Sequence, residues 1–198
     1  MKNLLTLLLT LCSLSMFAQT TKGSFMVGGN GSLRFADGDY DLGEVKSTTL
    51  SINSTVGYFF IKNFSAGLYL PFELSWSKTK IPSWQQESDG EGRSYGVAPF
   101  VRYYIPVKSF FIVTEASYGW HYSKNSYEAF DPNTGTVSDE FSEKYRTFSL
   151  AAGPVFFLSH YTSIELLANY QRSNFEQFDQ SQFYLSVGFQ IYLPSNKE

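Results

Sequence analysis

Apolar and polar residues alternate with a period of two along most of this chain. In the segment 182–193, every second residue from Phe183 to Leu193 is Phe, Leu, Val or Ile, and the residues between them are Ser, Gly, Gln and Tyr. Successive side chains of a β-strand point to opposite faces, so the alternation predicts strands with one apolar face. Seven earlier segments follow the same pattern: 24–35, 48–60, 64–77, 94–105, 110–122, 146–158 and 162–171.

The links between these eight predicted strands are alternately long and short. The short links are 61–63, 106–109 and 159–161, and the long polar links are 36–46, 78–92, 123–145 and 172–181. Short turns at one end and long loops at the other are typical of an antiparallel, up-and-down transmembrane β-barrel. Pro99 and Pro154 lie inside predicted strands, and because proline lacks a ladder donor we expect a bulge or a local gap at each.

The residue types on the two faces indicate which face meets lipid. The polar face is mainly Ser, Gly, Thr, Asn and Gln, while most charged residues lie in the long links. A soluble, lipocalin-like barrel would carry Lys, Glu and Asp on its outer face, whereas small polar side chains suit a narrow, enclosed interior. Aromatic residues form 18% of the chain, more than we expect such an interior to hold. We therefore expect the apolar face to point outward into lipid, with every backbone group paired in a closed ladder.

The first 18 residues have the pattern of a cleavable signal peptide. Lys2 precedes an apolar stretch that is shorter than the roughly 20 residues of a spanning helix, and Ala18 offers a small residue for cleavage. The barrel domain then comprises 19–198. The single cysteine, Cys12, lies in the signal, so we expect no disulfide and no thiolate site in the mature protein. The net charge of −3 without a basic patch argues against nucleic acid as a partner.

Several stretches resemble the small eight-stranded outer-membrane barrels of Gram-negative bacteria, the OmpA/OmpX-like group. They are Thr-Val-Gly-Tyr-Phe-Phe at 55–60, Ser-Ala-Gly-Leu at 65–68 and Pro-Phe-Val-Arg-Tyr-Tyr at 99–104. The last strand also resembles the β-signal that the outer-membrane assembly machinery reads, and the matching positions are Ser186, Gly188, Ile191 and Leu193. The family's signal usually ends at or near a terminal aromatic residue, whereas residues 194–198 follow here.

This resemblance implies an all-β, eight-stranded barrel in the bacterial outer membrane, with both termini in the periplasm. It also implies periplasmic chaperones and the barrel assembly machinery as partners during biogenesis, and outer-membrane lipid and lipopolysaccharide as the surroundings of the folded protein. We expect a monomer.

Five charged residues fall on the polar face and are expected to point into the lumen: Arg34, Glu73, Arg102, Glu115 and Glu165. A register that places Ile105 opposite Phe110 would bring Arg102 and Glu115 into diagonal reach. Our hypothesis is an ion-pair network that plugs the barrel, because eight strands enclose an interior that side chains fill. Charges that solvate a wet interior, or that line a narrow channel for ions or small solutes, are the alternatives.

One weak motif favours an enzymatic function. The sequence His121-Tyr122-Ser123 resembles the H-x-S pair of the eight-stranded lipid A deacylase barrels, which use a Ser-His-Glu arrangement. A three-residue string in a Ser-rich chain is better explained by chance. His160, the other histidine, is predicted in a short turn, and the His and carboxylate positions lack metal-ligand spacing. We expect no catalytic site, no metal and no cofactor.

The long loops are the best candidates for binding, because binding concentrates on loops that a rigid scaffold holds. The loop from Lys78 to Gly92 and the loop from Ser123 to Tyr145 combine acidic residues with aromatic ones, which include Trp84, Tyr127 and Phe130. The sequence therefore favours a structural or surface-interaction role in the outer membrane, with an unknown extracellular ligand at these loops. A lipid A-modifying enzyme and a narrow channel are the alternative functions.

Overall fold

The protein is a closed antiparallel β-barrel of eight strands, as the sequence predicts. Each strand pairs with its neighbours along the chain, and β8 pairs with β1 to close the barrel. The strands are β1 (Phe25–Tyr40), β2 (Gly43–Ile61), β3 (Phe64–Ile81), β4 (Gln86–Val107), β5 (Phe110–Asp131), β6 (Gly135–Phe157), β7 (Thr162–Asn174) and β8 (Asp179–Leu193).

The computed structural model describes residues 20–40, 43–81, 86–131, 135–176 and 178–194. The signal peptide predicted at 1–18 lies outside the described residues, as does Trp84 in the link 78–92. In the part of the chain that is described, no helix is long and apolar enough to cross a membrane.

The strands are joined differently at the two ends of the barrel. Turns at 62–63 and 108–109, together with the connection 158–161, form what we call the short-turn end. Asn63 there has a φ of 64°, a left-handed conformation that asparagine tolerates better than most residues. The segment before β1 also lies at this end, because the Asn63 amide donates a 2.8 Å hydrogen bond to the Thr20 carbonyl. The opposite end, where the long links lie, is called the hairpin end.

The long links are mostly extended β-structure, and this corrects the prediction of loops there. The β5–β6 ladder continues without a shift from Phe111 opposite Val155 to Asp131 opposite Gly135. The predicted loop from Ser123 to Tyr145 is thus a two-stranded hairpin over the described residues, paired up to Asp131 and Gly135. Sequence alternation fades in this region because neither face is buried in lipid, but the backbone ladder does not need that alternation to continue.

The apolar rows face outward along all eight strands, which confirms the predicted orientation. Side chains such as Leu68 on β3, Leu150 on β6 and Leu166 on β7 are about half exposed on the outer wall. The alternate positions, such as Ser65 and Ser163, are buried inside. An apolar outer wall is stable in a bilayer and unfavourable in water.

The interior is less polar than the sequence indicates. Toward the short-turn end it holds an aromatic and aliphatic cluster of buried residues: Met26, Phe59, Tyr69, Ala98, Phe100, Tyr104, Phe111, Val113, Ala151, Val155, Phe157, Leu167 and Tyr192. Glycines on the inner face make room for these rings. A Cβ added to Gly67 would come within 2.8 Å of the Phe100 ring and 2.6 Å of the Gly57 Cα atom. Most aromatic side chains lie on the outer wall, as expected, but seven rings lie in the lumen, and glycines such as Gly57 and Gly67 provide the volume beside Phe100.

Prolines interrupt the ladder locally, as predicted, and produce gaps without bulges. The β4–β5 pairing stops at Val97 opposite Trp120 and resumes in the same register at Phe100 opposite Ser117. The β6–β7 pairing is interrupted in the same way around Pro154. A third proline, Pro71, lies at a gap in the β3–β4 ladder.

Candidate functional sites in the lumen and at the hairpin end

Arg102 on β4 is the centre of the lumenal charge cluster. It lies directly opposite Glu115 on β5, and its Nε donates to the Glu115 carboxylate. The predicted register is wrong by two residues: Ile105 lies opposite Ile112, and Val107 lies opposite Phe110. Only two residues, 108–109, form the turn, so the strands pair further toward it than predicted.

A second carboxylate reaches Arg102 from the far side of the lumen. Glu165 on β7 accepts hydrogen bonds from Arg102 Nη1 at 3.0 Å and from Nη2 at 3.1 Å. This two-bonded geometry is the strongest that a guanidinium and a carboxylate make. Both side chains are fully buried. β4 and β7 are not neighbours in the barrel, so the pair ties together walls that share no backbone ladder.

Neutral donors complete the cluster, which holds one cation and two carboxylates. The Tyr69 hydroxyl accepts from Arg102 at 2.6 Å and donates to Glu115. Gln190 donates from Nε2 to Glu165 at 2.8 Å. A buried carboxylate is tolerated only when hydrogen bonds satisfy its oxygens, and these two side chains supply them. We call Arg102, Glu115, Glu165, Tyr69 and Gln190 the Arg102 cluster.

The other two predicted lumenal charges form a separate group. Arg34 Nη2 lies 2.9 Å from a Glu73 carboxylate oxygen. Ser51 lies between them, accepting from Arg34 at 2.9 Å and donating to Glu73 at 3.0 Å. The side chains of Arg34 and Glu73 are 14% and 33% exposed. The five charged residues thus form two clusters, and no hydrogen bond between described residues joins them.

The Arg102 cluster and the aromatic core lie next to each other in the lumen. Arg102 also contacts Tyr104, to whose hydroxyl it donates at 3.3 Å, and it lies over the Phe100 ring at 5.4 Å. Tyr104 in turn donates to the Met26 sulfur at 3.1 Å. Arg102, Tyr104 and Met26 are all essentially fully buried. The Arg102 cluster and the aromatic rings therefore fill the lumen together at this level of the barrel.

An open vestibule of about 640 Å³ lies at the hairpin end. Glu73 and Tyr145 line it at depth, and Tyr127, Phe141 and Glu143 line it on the β5–β6 hairpin. Its aromatic side chains are stacked: Tyr127 lies 5.4 Å from Phe141, centroid to centroid, with the two planes 17° apart. Stacked rings with carboxylates and hydroxyls between them offer both apolar faces and hydrogen-bond acceptors to a ligand.

A column of rings runs from the vestibule wall into the lumen. His121 stacks on Tyr145 at 4.8 Å, Tyr145 stacks on Phe175 at 4.7 Å, and Phe175 stacks on Phe178 at 4.7 Å. The Tyr145 hydroxyl is 2.7 Å from the Ser94 hydroxyl. The column fixes the inner wall of the β5–β6 hairpin against the β7–β8 connection.

His121 and Ser123 do not form a nucleophile–base pair. The His121 Nε2 atom is 2.9 Å from the Thr147 hydroxyl, and the Ser123 hydroxyl donates to Asn125 at 3.3 Å. Among the described residues, no hydrogen bond joins His121 to Ser123 or to a carboxylate. A serine nucleophile needs a base within hydrogen-bond reach and a group that orients the base, and this arrangement lacks both contacts.

The predicted β-signal residues divide between the two faces of β8. Ile191 and Leu193 point outward, whereas Ser186 is buried and accepts a 2.9 Å hydrogen bond from Asn169. Gly188 lies opposite Glu165, and a Cβ there would come within 2.5 Å of the Glu165 Cγ atom. Gly188 therefore leaves space for the buried carboxylate of the Arg102 cluster.

The acidic residues of the long hairpins are partly neutralised by lysine and arginine. Lys78 lies 3.7 Å from Asp89 across the β3–β4 hairpin, and Lys124 lies 2.6 Å from Glu140 across the β5–β6 hairpin. The hydrogen bond to Glu140 raises the pKa of Lys124. In the β7–β8 hairpin, Arg172 lies 2.7 Å from Asp179.

Sequence reasoning missed the neutral members of the Arg102 cluster. Tyr69 and Gln190 both lie on the inner face by strand parity, and that parity was readable from the sequence. Strand parity does not give the height of a side chain along the barrel axis. That height decides that Gln190 reaches Glu165 and that Tyr69 reaches Arg102. The Phe rings of the lumen were missed because the inner face was judged by its commonest residue types.

Comparison with known proteins gives one family match. The model of the outer membrane protein β-barrel domain matches residues 4–190. A search of curated proteins found no match.

The solved structures that are similar to this chain include the following three. Ail, the attachment invasion locus protein of Yersinia pestis, is 14% identical over 86% of this chain and 99% of its own, with a TM-score of 0.45. The N-terminal β-barrel domain of Pseudomonas aeruginosa OprF is 10% identical over 87% and 98%, with a TM-score of 0.39. Neisserial surface protein A is 14% identical over 87% and 99%, with a TM-score of 0.41.

Proposed function

This chain belongs to the outer membrane protein β-barrel domain family, and we propose that it is a non-enzymatic, structural or surface-interaction protein whose lumen is sealed. It is an integral barrel of the bacterial outer membrane. In our proposal the hairpin end faces the cell exterior and the short-turn end faces the periplasm. Both chain termini then lie in the periplasm, and residues 1–18 direct export and are removed.

The buried Arg102 cluster carries the proposal. Arg102 is bonded to β5 through Glu115 and to β7 through Glu165, and the aromatic cluster fills the lumen beside it. An eight-stranded barrel has an interior that side chains can fill, and here large side chains and charges occupy it. A solute path would have to break a two-bonded, desolvated ion pair, which is costly. A channel is therefore disfavoured.

Function is then assigned to the hairpins and the vestibule. The β3–β4 and β5–β6 hairpins are the longest projections of the described chain, and together with the β7–β8 connection they carry the rings and acids that line the vestibule. A rigid barrel that holds such hairpins presents them at a fixed spacing to an extracellular ligand. The enzyme alternative is disfavoured by the partners of His121 and Ser123, which are Thr147 and Asn125.

The remaining partners follow from residence in this membrane. The apolar outer wall packs against outer-membrane lipid and lipopolysaccharide, and the β8 segment ending at Leu193 is read by the assembly machinery after periplasmic chaperones deliver the chain. The folded barrel acts as a monomer.

Two experiments test this function. Purified protein in planar bilayers is expected to show no large, stable conductance steps, and such steps would overturn the sealed lumen. Single cysteines at Ser138 on the β5–β6 hairpin and at Lys62 in a short turn test orientation with a membrane-impermeant thiol reagent on intact cells. We expect labelling at position 138 and none at 62, with both labelled after the outer membrane is opened.

A deletion strain tests the physiological role. We expect changed adhesion, envelope permeability or detergent resistance, restored by the wild-type chain but not by a chain whose β5–β6 hairpin is shortened. Restoration by the shortened chain would show that the role does not depend on that hairpin. A change in lipid A acylation that disappears in Ser123→Ala would establish the enzyme instead.

A further inference from the structure

The vestibule at the hairpin end contains three aromatic rings that are only partly covered. Tyr127 and Phe141 stack on each other on the β5–β6 hairpin, and each is 42% exposed. Phe178, in the connection between β7 and β8, is 56% exposed and stacks on Phe175 at the end of the ring column. All three rings line the vestibule. Exposed apolar surface that is grouped in a cavity is typical of a binding site.

Glycines on β4 leave space for the side chains of this wall. Gly90 lies directly opposite Tyr127 on β5, and a Cβ added to Gly90 would come within 2.9 Å of the Tyr127 Cδ1 atom. Gly92 lies opposite Asn125 in the same way, and a Cβ there would meet the Asn125 side chain. The Tyr127 ring and the Asn125 amide therefore lie against the β4 backbone, which holds both of them at the wall of the cavity.

Hydrogen-bond acceptors line the same cavity as the rings. Glu143 on β6 lies directly opposite Ser123 on β5, two residues along β6 from Phe141. Glu176 belongs to the connection between β7 and β8, and both glutamates line the vestibule. Neither of them forms an ion pair with another described residue. An ionised carboxylate accepts hydrogen bonds and donates none, so these two side chains favour a ligand that carries several donors.

The charge of the vestibule argues against an anionic ligand. A third carboxylate at its depth, that of Glu73, is already bonded to Arg34. Arg93 is the only basic residue among the described residues that line the cavity. Its position on β4 has the same parity as that of Tyr95, which lies exposed on the outer wall. The two free carboxylates therefore dominate the inner wall, and they repel phosphate, sulfate or carboxylate groups.

The geometry of the rings favours a sugar over an organic cation. The Tyr127 and Phe141 planes are 17° apart, and the Phe175 and Phe178 planes are 19° apart. Nearly parallel rings form flat platforms, whereas an ammonium ligand is recognised by an aromatic cage whose rings surround it. A pyranose ring has a flat face of C–H groups that packs on such a platform, and its hydroxyl groups point sideways from that face. Hydroxyl groups are the donors that the free carboxylates need.

We infer that the vestibule binds a neutral oligosaccharide. One sugar unit packs on the platform of Tyr127 and Phe141, another packs on Phe178, and their hydroxyl groups donate to Glu143 and Glu176. The two platforms belong to separate elements of the fold, the β5–β6 hairpin and the β7–β8 connection, so the ligand has more than one sugar unit. This inference names a ligand class for the proposed surface-interaction role and rests on that role.

The test probes the full barrel with an array of neutral and sulfated glycans. The protein carries a fluorophore on Lys62→Cys, at the short-turn end, and is kept in a detergent whose head group is not a sugar. We expect binding to neutral oligosaccharides and none to sulfated glycans. Isothermal titration calorimetry then measures the Kd of the neutral oligosaccharide that binds most strongly on the array.

Ring variants show whether that oligosaccharide lies in the vestibule. Tyr127→Ala and Phe178→Ala should each weaken its binding about tenfold, because each removes one aromatic platform. Phe183→Ala removes an exposed ring from the outer wall of β8 and is the matched control, which should leave the Kd unchanged. Heat-modifiable migration on a gel shows that each variant is folded, which we expect because all three rings are exposed.

A second arm tests the role of the carboxylates and separates a sugar from a cation. Glu143→Gln keeps an acceptor at this position and should weaken the neutral oligosaccharide only about fivefold, the difference between a charged and a neutral hydrogen bond. Glu140→Gln, on the outer face of β6, is its matched control and should have no effect. Added salt should leave the Kd unchanged, because the ligand is uncharged, and tetramethylammonium should not compete with it.

Three results would overturn the inference. They are an array on which no neutral oligosaccharide binds, binding that is unchanged in both Tyr127→Ala and Phe178→Ala, and displacement of the glycan by tetramethylammonium.

Failure of this site and failure of the proposed function are distinguishable. An array without neutral ligands, for a barrel whose position 138 is labelled on intact cells, removes the saccharide site and leaves the surface role in place. A hairpin end that is inaccessible on intact cells removes the surface role, whereas binding by the purified barrel is measured without reference to orientation.

Discussion

Arg102 and Glu165 face each other across the lumen from β4 and β7, and two hydrogen bonds of 3.0 and 3.1 Å join them. Because these strands are not adjacent, the pair links two walls that share no backbone ladder. Glu115 adds a second carboxylate to the same guanidinium. The cluster is therefore both a cross-brace and the polar part of the plug.

Replacement of Arg102 by Met should destabilise the barrel strongly. It leaves two buried carboxylates without their cation, and breaking a buried ion pair from one side costs about 3–5 kcal/mol. Urea unfolding in detergent micelles, followed by the heat-modifiable gel shift, measures the loss. Arg102→Lys should recover only part of it, because an ammonium group cannot make the two-bonded contact. Arg172→Met, at an exposed arginine, is the control and should change stability little; equal effects at the two positions would contradict the brace.

The Arg34–Glu73 pair should contribute less than the Arg102 cluster. The side chains of Arg34 and Glu73 are 14% and 33% exposed at the vestibule. Water therefore replaces part of the hydrogen bonding that Glu73 loses when Arg34 is substituted. We expect Arg34→Gln to cost about 1–2 kcal/mol, the range of a partly screened charged hydrogen bond. The same unfolding assay ranks the two clusters, and a larger loss at Arg34 than at Arg102 would show that the ranking by burial is wrong.

A methyl group at Gly67 should destabilise the barrel, whereas one at Gly31 should not. A Cβ at Gly67 would lie 2.1 Å from the Val56 carbonyl oxygen and 2.6 Å from the Gly57 Cα atom, so the backbone must move. Overpacking of this kind typically costs about 1–3 kcal/mol. Gly31→Ala is the matched control, since the nearest atom there is 3.6 Å away. Comparable stability of Gly67→Ala and Gly31→Ala would contradict the close packing under Phe100.

The two-residue alternation predicted the strands and their faces because lipid outside and an enclosed lumen inside impose opposite chemistry on alternate positions. It did not determine register. Placing Ile105 opposite Phe110 was wrong by two residues, a shift that keeps every face correct while changing which side chains are neighbours. Contacts across the lumen, such as Arg102 with Glu165, depend on the stagger of all eight strands and were not predictable from one sequence.

The hairpins show a different limit of sequence reasoning. Beyond the membrane the β5–β6 segment loses its apolar rows, and polarity alone suggested a loop from Ser123 to Tyr145. The backbone ladder nevertheless continues to Asp131 opposite Gly135, because an already paired hairpin extends by forming the same hydrogen bonds in water. Composition thus predicts where the lipid-facing part of a strand ends. It does not predict where the backbone ladder between two strands ends.

The Arg172–Asp179 pair should make the β7–β8 hairpin sensitive to acid. Hydrogen bonds from Arg172 and then from Asn174 lower the pKa of Asp179 below its ordinary value of 3.8. A carboxyl group with a depressed folded pKa contributes stability that is complete above the unfolded value and is lost as the pH falls through the folded one. We therefore expect the hairpin to loosen only below about pH 4, near the ordinary aspartate pKa. Carboxyl NMR of Asp179 should show a low midpoint that rises in Arg172→Ala, while Asp179→Asn should remove the acid response of the hairpin amides. An unchanged midpoint in Arg172→Ala would mean that the pair does not form in solution.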